Sequence, residues 1–250
     1  MKIESLFQYL DQYLEITSFP DYGAAHNGLQ VGGPSEVYRL GVAVDASEAV
    51  INEAVDRKID LLIVHNGLFW DGRTRIVGPR FRKLRALIQG NIALYGCHLP
   101  LDAHTEVGHC AVLCAELGWE IGGRFGAYQG RDIGWWCDVD FKRDALVVHV
   151  EKTTKGPVRL IPGGPEQIYR IGVVTGSAAD LIPEAAEFGL DALLTGEGPH
   201  HTFSVSMEFG INTLYAGHYA TETWGMKALA AHIEERFDIP WEFIDLPTGF

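Results

Sequence analysis

LGVAVDASEAVINEAVDRKIDLLIVHNG (40–67) decides the fold. Its two ends, LGVAV and LLIV, are short apolar runs bounded by polar or small residues, as expected of strands buried on both faces. The stretch between them, EAVINEAVDRKI, has helical periodicity. Strand, helix and strand in succession imply a right-handed crossover and a parallel sheet.

The same phrase returns later in the chain. IGVVTGSA (171–178), DLIPEAAEFG (180–189) and DALLTGEG (191–198) repeat it, and NIALYGCHLPLD (91–102) is echoed by INTLYAGHYATE (211–222). Helical stretches such as FRKLRALIQG (81–90) and MKALAAHIEERF (226–237) lie between or after these runs. The reading is therefore α/β, with two interlinked, weakly repeated lobes at 1–125 and 126–250 and mainly parallel sheets. Residues 4–15 read as an amphipathic helix. GWWCDVDF (134–141), ALVVHVE (145–151) and VRLIPGG (158–164) read as strands of a β-rich segment at about 126–166 that bridges the lobes.

Composition narrows the function. Of 250 residues, 47% are apolar and 21% charged, values ordinary for a globular protein. No apolar run approaches the roughly 18 residues of a membrane span. The opening MKIESLFQYLDQYLEI carries Glu4, Asp11 and Glu15 where a signal peptide would place a positive cluster and an apolar stretch, so a cytoplasmic location is expected. A net charge of −13 argues against nucleic acid as a partner. Cys97, Cys110, Cys114 and Cys137 form no CxxC pair and read as reduced, buried thiols. One basic exception, Arg73, Arg75, Arg80, Arg82, Lys83 and Arg85, is either a solvated helix face or a patch that draws in an anionic substrate. No GxGxxG, Walker or nucleophile-elbow string is present, so hydride transfer, P-loop and triad esterase chemistry have no support.

Ligands of open parallel sheets bind beyond the carboxyl ends of the strands. His65 and Asn66 follow LLIV, His98 follows IALYG, His218 follows TLYAG, and Glu197 follows LLTG. His98 and Asp102 are four residues apart, as are His218 and Glu222, so a His-x-x-x-acid pair recurs in both halves. At that spacing imidazole and carboxylate share one helical face. A single histidine after a strand is more often a packed residue, and His-x-x-x-Glu is often a surface ion pair. Two such pairs meeting at a pseudo-symmetric interface can also hold one or two divalent metals.

NGLQV (27–31), DLLIVHNGLFW (60–70), LYGCHLPLDAH (94–104) and GHYATETWGMKAL (217–229) together resemble the Nif-three-like dinuclear-metal family, type-two homologues of GTP cyclohydrolase I. The resemblance runs through the closing WEFIDLPTG (241–249) and is weakest at about 123–166. It implies two interlinked α/β lobes with a metal pair in the cleft between them and a homo-hexamer built as a trimer of dimers. It places the metal ligands on His65, Asp102, His218 and Glu222, with the two carboxylates shared. His98 would lie in or near the coordination shell, and Glu197 and His201 would face the same cleft.

One position departs from the family. Two adjacent histidines usually follow this strand, and here the pair is His65-Asn66. Asn66 can offer only a carbonyl oxygen, a weaker ligand than imidazole for a transition metal. One metal position is then weak or empty, or His104, His98 or Glu197 completes the shell, or a harder cation takes the altered position. The expected cofactor is one or two divalent ions per chain, zinc, iron, manganese or magnesium. The expected function is metal-dependent hydrolysis of a small anionic, nucleotide-like substrate, with Glu197, His98 or His201 moving the proton. The alternative is a non-catalytic, metal-dependent binding or regulatory ring.

Overall fold

Residues 40–67 fold as strand, helix and strand in the computed structural model, which describes residues 1–250. Helix α1 (Ile3–Tyr13) and strand β1 (Gly28–Val31) precede them. Next come β2 (Leu40–Asp45), α2 (Glu48–Asp56), β3 (Leu61–Asn66), α3 (Gly78–Gly90), β4 (Ala93–Gly96) and the single turn α4 (Leu99–Asp102). Helix α2 starts where Ser47 accepts a hydrogen bond from the Val50 N–H at 3.2 Å, an ordinary N-cap. Helix α3 starts with Pro79 in its first turn, where the missing N–H costs nothing, and stops at Asn91 in the left-handed conformation.

The chain divides into two compact units. The first comprises Met1–Leu101 and Gly225–Leu246. Its five-stranded sheet has the order β1-β4-β3-β2-β11, where β11 is Trp241–Phe243. All neighbours are parallel except β1, which runs antiparallel to β4 at the edge. Ile51 of α2 and Leu87 of α3 close over Leu62 and Leu94 of the sheet, all fully buried. Burial of one such side chain stabilises the fold by about 1.5–3 kcal/mol.

The second unit comprises Asp102–Trp224 and Pro247–Phe250. It contains α5 (His109–Glu116), β5 (Glu120–Tyr128), β6 (Arg131–Lys142), α6 (Arg143–Thr154), β7 (Arg159–Pro162) and β8 (Gln167–Val173). These lead to α7 (Ile182–Glu187), β9 (Ala192–Thr195), α8 (Thr202–Phe209), β10 (Asn212–Tyr215) and the turn α9 (His218–Thr221). Its sheet has the order β5-β6-β8-β9-β10-β7, and only β8, β9 and β10 are parallel. The sheets are thus mainly parallel in the first unit and mixed in the second.

Three sequence expectations change. The chain passes between units at residues 101 and 102, and Gly225–Leu246, including most of α10 (Thr223–Phe237), belongs to the first unit because β11 adds to β2 in parallel register. The segment at 126–166 extends the second unit's own sheet through the β5–β6 hairpin and β7. ALVVHVE lies inside helix α6: Leu146 and Val150, four residues apart, are buried while Val148 is 63% exposed, so packing at helical spacing overrides β-branched propensity. No helix is long and apolar enough to cross a membrane.

Candidate metal centre

In the first unit, β3 ends on His65 and Asn66. His65 is buried, and its Nδ1–H donates to the Cys97 carbonyl at 2.9 Å. That bond fixes a proton on Nδ1, so that Nε2 is the nitrogen a metal would bind, the usual preparation of an imidazole for a metal. The His98 ring stands with its centroid 4.9 Å from that of His65. His98 Nδ1–H donates to Asp21 Oδ1 at 2.8 Å, and its backbone N–H donates to Asn27 Oδ1 at 2.8 Å. Asp21 Oδ2 also accepts from Asn27 Nδ2 at 2.7 Å and from the Leu99 N–H at 3.0 Å. Burial opposes ionisation of Asp21, but the His98 ring, Asn27 and the Tyr22 N–H outweigh it and hold its carboxyl below the usual range. Asn66 Nδ2 donates to Asp45 Oδ1 at 3.1 Å, tying the ends of β3 and β2 together.

In the second unit, the Thr175–Gly176 dipeptide after β8 touches both carboxylates named from sequence. Thr175 Oγ1–H donates to Asp102 Oδ1 at 2.8 Å. A hydroxyl has one proton, so at the 3.4 Å contact the Cys110 thiol is the donor to Thr175. Burial pushes Cys110 up to about 12, which keeps that thiol protonated. Gly176 has φ +69°, and a Cβ there would lie 2.2 Å from Glu222 Oε1 and 3.6 Å from His218 Nε2. The glycine therefore leaves the space that the Glu222 carboxylate fills. Glu222 Oε1 is 3.0 Å from His218 Nε2, and His218 Nδ1 donates to Glu197 Oε1 at 2.8 Å. Burial disfavours the His218 cation, yet Glu222 and Glu197 together raise it to about 9, so without a metal the ring is an imidazolium at neutral pH.

His65, Asp102 and His109 are all buried. Two imidazoles and a carboxylate, with one ring's tautomer set by a carbonyl, form a donor set that fits a divalent transition metal. These three residues could hold a metal ion.

The two His-x-x-x-acid pairs of the sequence behave differently. His218 and Glu222 meet across one helical turn, whereas His98 turns to Asp21 and Asp102 to Thr175. Glu197 joins His218, while His201 stands exposed just before α8, outside that chain of contacts. His104 Nδ1 accepts the N–H groups of Glu106 and Val107, each at 3.2 Å. Strand-end reasoning misses His109 because it opens a helix instead of following a strand. Its only sequence signal is that it is the second imidazole of HTEVGHC (104–110).

These features define an α/β protein whose two units each carry buried imidazole or carboxylate side chains near strand or helix ends. The chain belongs to the Duf34/NIF3 (NGG1p interacting factor 3) family, whose model matches residues 1–248. A protein of Deinococcus radiodurans named GTP cyclohydrolase 1 type 2 homolog is 41% identical over 249 residues, covering 98% of this chain and 94% of that protein. Its namesake in Archaeoglobus fulgidus is 37% identical over 249 residues, with both chains fully covered. A crystal structure of a Thermus thermophilus protein superimposes with a TM-score of 0.92 at 40% identity, over the whole of both chains.

Proposed function

We propose that the chain is a divalent-metal-dependent hydrolase of a small anionic, nucleotide-like substrate. The observation that carries the reading is the buried donor set of His65, Asp102 and His109, which could hold a metal ion, with the His65 Nδ1–H already bound to the Cys97 carbonyl. His218 and Glu222, beside the loop that holds Asp102, are proposed as further ligands, as in the resemblance above. The names of the relatives support a cyclohydrolase-type substrate; a cytoplasmic homo-hexamer is proposed from the sequence resemblance alone. A bound divalent ion would supply Lewis acidity and make water a better nucleophile near neutral pH.

The chain's own residues supply proton handling. Asp21 holds His98 by Nδ1–H, which leaves Nε2 to take a proton. Glu197, bonded to His218 Nδ1, can relay one outward to solvent. Thr175 orients the Asp102 carboxylate by donating to Oδ1. His201, which is exposed, is retained as a candidate at the rim.

Elemental analysis of protein purified without chelator or metal-binding tag tests the reading, followed by hydrolysis assays on phosphoesters and nucleotides. One or two ions per chain with turnover abolished by Glu222→Gln is the expected result. Metal without turnover on any of these would move the function to metal-dependent binding. No metal after addition of zinc, manganese and iron would refute the proposal.

A further inference from the structure

The basic cluster at 73–85 is sorted by the fold. Arg82 is spent on Glu48, with bonds of 2.6 and 2.8 Å, and Arg85 donates to Gln89 at 3.1 Å along its own helix. Arg75, Arg80 and Lys83 instead line a cavity of about 390 Å³ with Gly67, Trp70 and Thr74. Asp71 is the only carboxylate among the lining residues. Three cations against one carboxylate make a positive hollow in a protein whose net charge is −13. Such a concentration in a concave, partly desolvated setting attracts anions.

The cavity adjoins the histidines of the first unit. Gly67 and Leu68, in its wall, directly follow His65 and Asn66, and Gln30 Oε1 holds the Leu68 N–H at 2.8 Å. Trp70, also in the wall, meets the His98 ring edge-on with centroids 4.7 Å apart. Lys83 Nζ donates to the Ala46 carbonyl at 3.2 Å, and the Ala46 N–H donates to the Asn66 carbonyl at 2.8 Å, which anchors the ammonium at the ends of β2 and β3.

Arg80 has a second role. It donates to the Gly72 carbonyl at 3.1 and 3.2 Å, to Thr74, and pairs with Asp71 at 3.3 Å, so it folds the loop that forms the rim. Its Nε–H is buried and has no hydrogen-bond partner. An anion with several acceptor oxygens meets that need together with the charges of Arg75 and Lys83.

We infer that this cavity seats a phosphate group of the substrate, held by Arg75, Lys83 and Arg80 beside the His65–His98 pair. The inference deepens the hydrolytic reading and rests on it for the claim that the phosphate belongs to a substrate. Phosphate binding itself is independent of that reading.

The probe is inorganic phosphate, titrated calorimetrically into the full chain at low ionic strength, both chelator-treated and zinc-loaded. The substitutions are Arg75→Ala and Lys83→Met, the second keeping the aliphatic stem. Arg80 is left in place because its loss would collapse the rim, and thermal midpoints check that the variants fold. Phosphate should bind the chelator-treated protein at one per chain. Each cavity substitution should weaken it by about tenfold, the value of one lost charge-assisted bond. Arg82→Ala should leave it within about twofold, below the effect of any lost charged bond. No binding without metal, or binding indifferent to Arg75→Ala and Lys83→Met, overturns the inference. Phosphate bound only with zinc and lost in Asp102→Asn would place the anion on the metal, overturning the cavity while sparing the metal reading. Phosphate in the cavity with no metal uptake would do the reverse.

Discussion

Gly176→Ala isolates how tightly the Glu222 carboxylate is held. The backbone there is left-handed, with φ +69°, and any L-residue in that region costs about 1–2 kcal/mol. Gly210, at the end of α8, has φ +68° and nothing within 4 Å of where an added methyl would sit, so Gly210→Ala should cost that amount alone. At 176 the added Cβ would fall 2.2 Å from Glu222 Oε1, and the carboxylate must leave. Its departure breaks the 3.0 Å bond to His218, a charge-assisted contact of about 1.5–3 kcal/mol. The total is about 2.5–5 kcal/mol, a fall of roughly 10 °C in thermal midpoint for a chain of this length. Circular dichroism melts in chelator measure both variants. In a Glu222→Ala background the clash is absent, and Gly176→Ala should cost no more than Gly210→Ala does. Equal costs for Gly176→Ala and Gly210→Ala in the otherwise unaltered chain would refute the placement of Glu222.

Thr175→Val removes the hydroxyl that donates to Asp102 at 2.8 Å, and should cost about 1.5–3 kcal/mol in urea unfolding because the buried carboxylate loses its donor; an unchanged midpoint would count against that bond. Asp21→Asn tests the His98 anchor through pH. A carboxyl held below its unfolded value contributes stability that is full above about pH 4 and is lost as pH falls through the lower folded value. The variant should therefore melt lower than wild type at pH 7 and converge with it toward about pH 2; parallel curves would refute the assignment. His109→Ala should reduce zinc bound per chain in equilibrium dialysis, and Asn66→His should raise it; metal content indifferent to both would remove His109 from the ligand set.

The 40–67 phrase is legible because its strands are buried on both faces and its helix is capped by Ser47, so each local signal agrees with the packing. The strand-end logic also carries over: His65, His98, Glu197 and His218 all lie at or just beyond the carboxyl ends of β3, β4, β9 and β10. What fails is sorted by contacts distant in sequence. ALVVHVE has strand composition, and only its packing beneath the second sheet makes it a helix. The division of the chain is not readable locally because the partner of β11 is β2, paired from Trp241 back to Leu40. Asp21, which organises His98, sits in a loop of no periodicity and is tied to a residue 77 positions away.

The departure at Asn66 is best understood through the loop between Asp102 and His109. The asparagine at that strand end has a structural role, since its amide joins Asp45 across the parallel pair. Sequence reasoning nominates His104 to supply a lost imidazole, yet both Glu106 and Val107 donate their N–H groups to His104 Nδ1. That pair of bonds caps the loop and turns the chain back after Asp102, and Arg124 Nη1 fixes the same loop by donating to the Ala103 carbonyl at 2.7 Å. Helix α5 then begins at His109, which is fully buried. His104 thus acts by aiming another histidine. The resulting donor set is two imidazoles and a carboxylate, the chemistry a divalent transition metal asks for, with one imidazole delivered from a helix start and the other from a strand end.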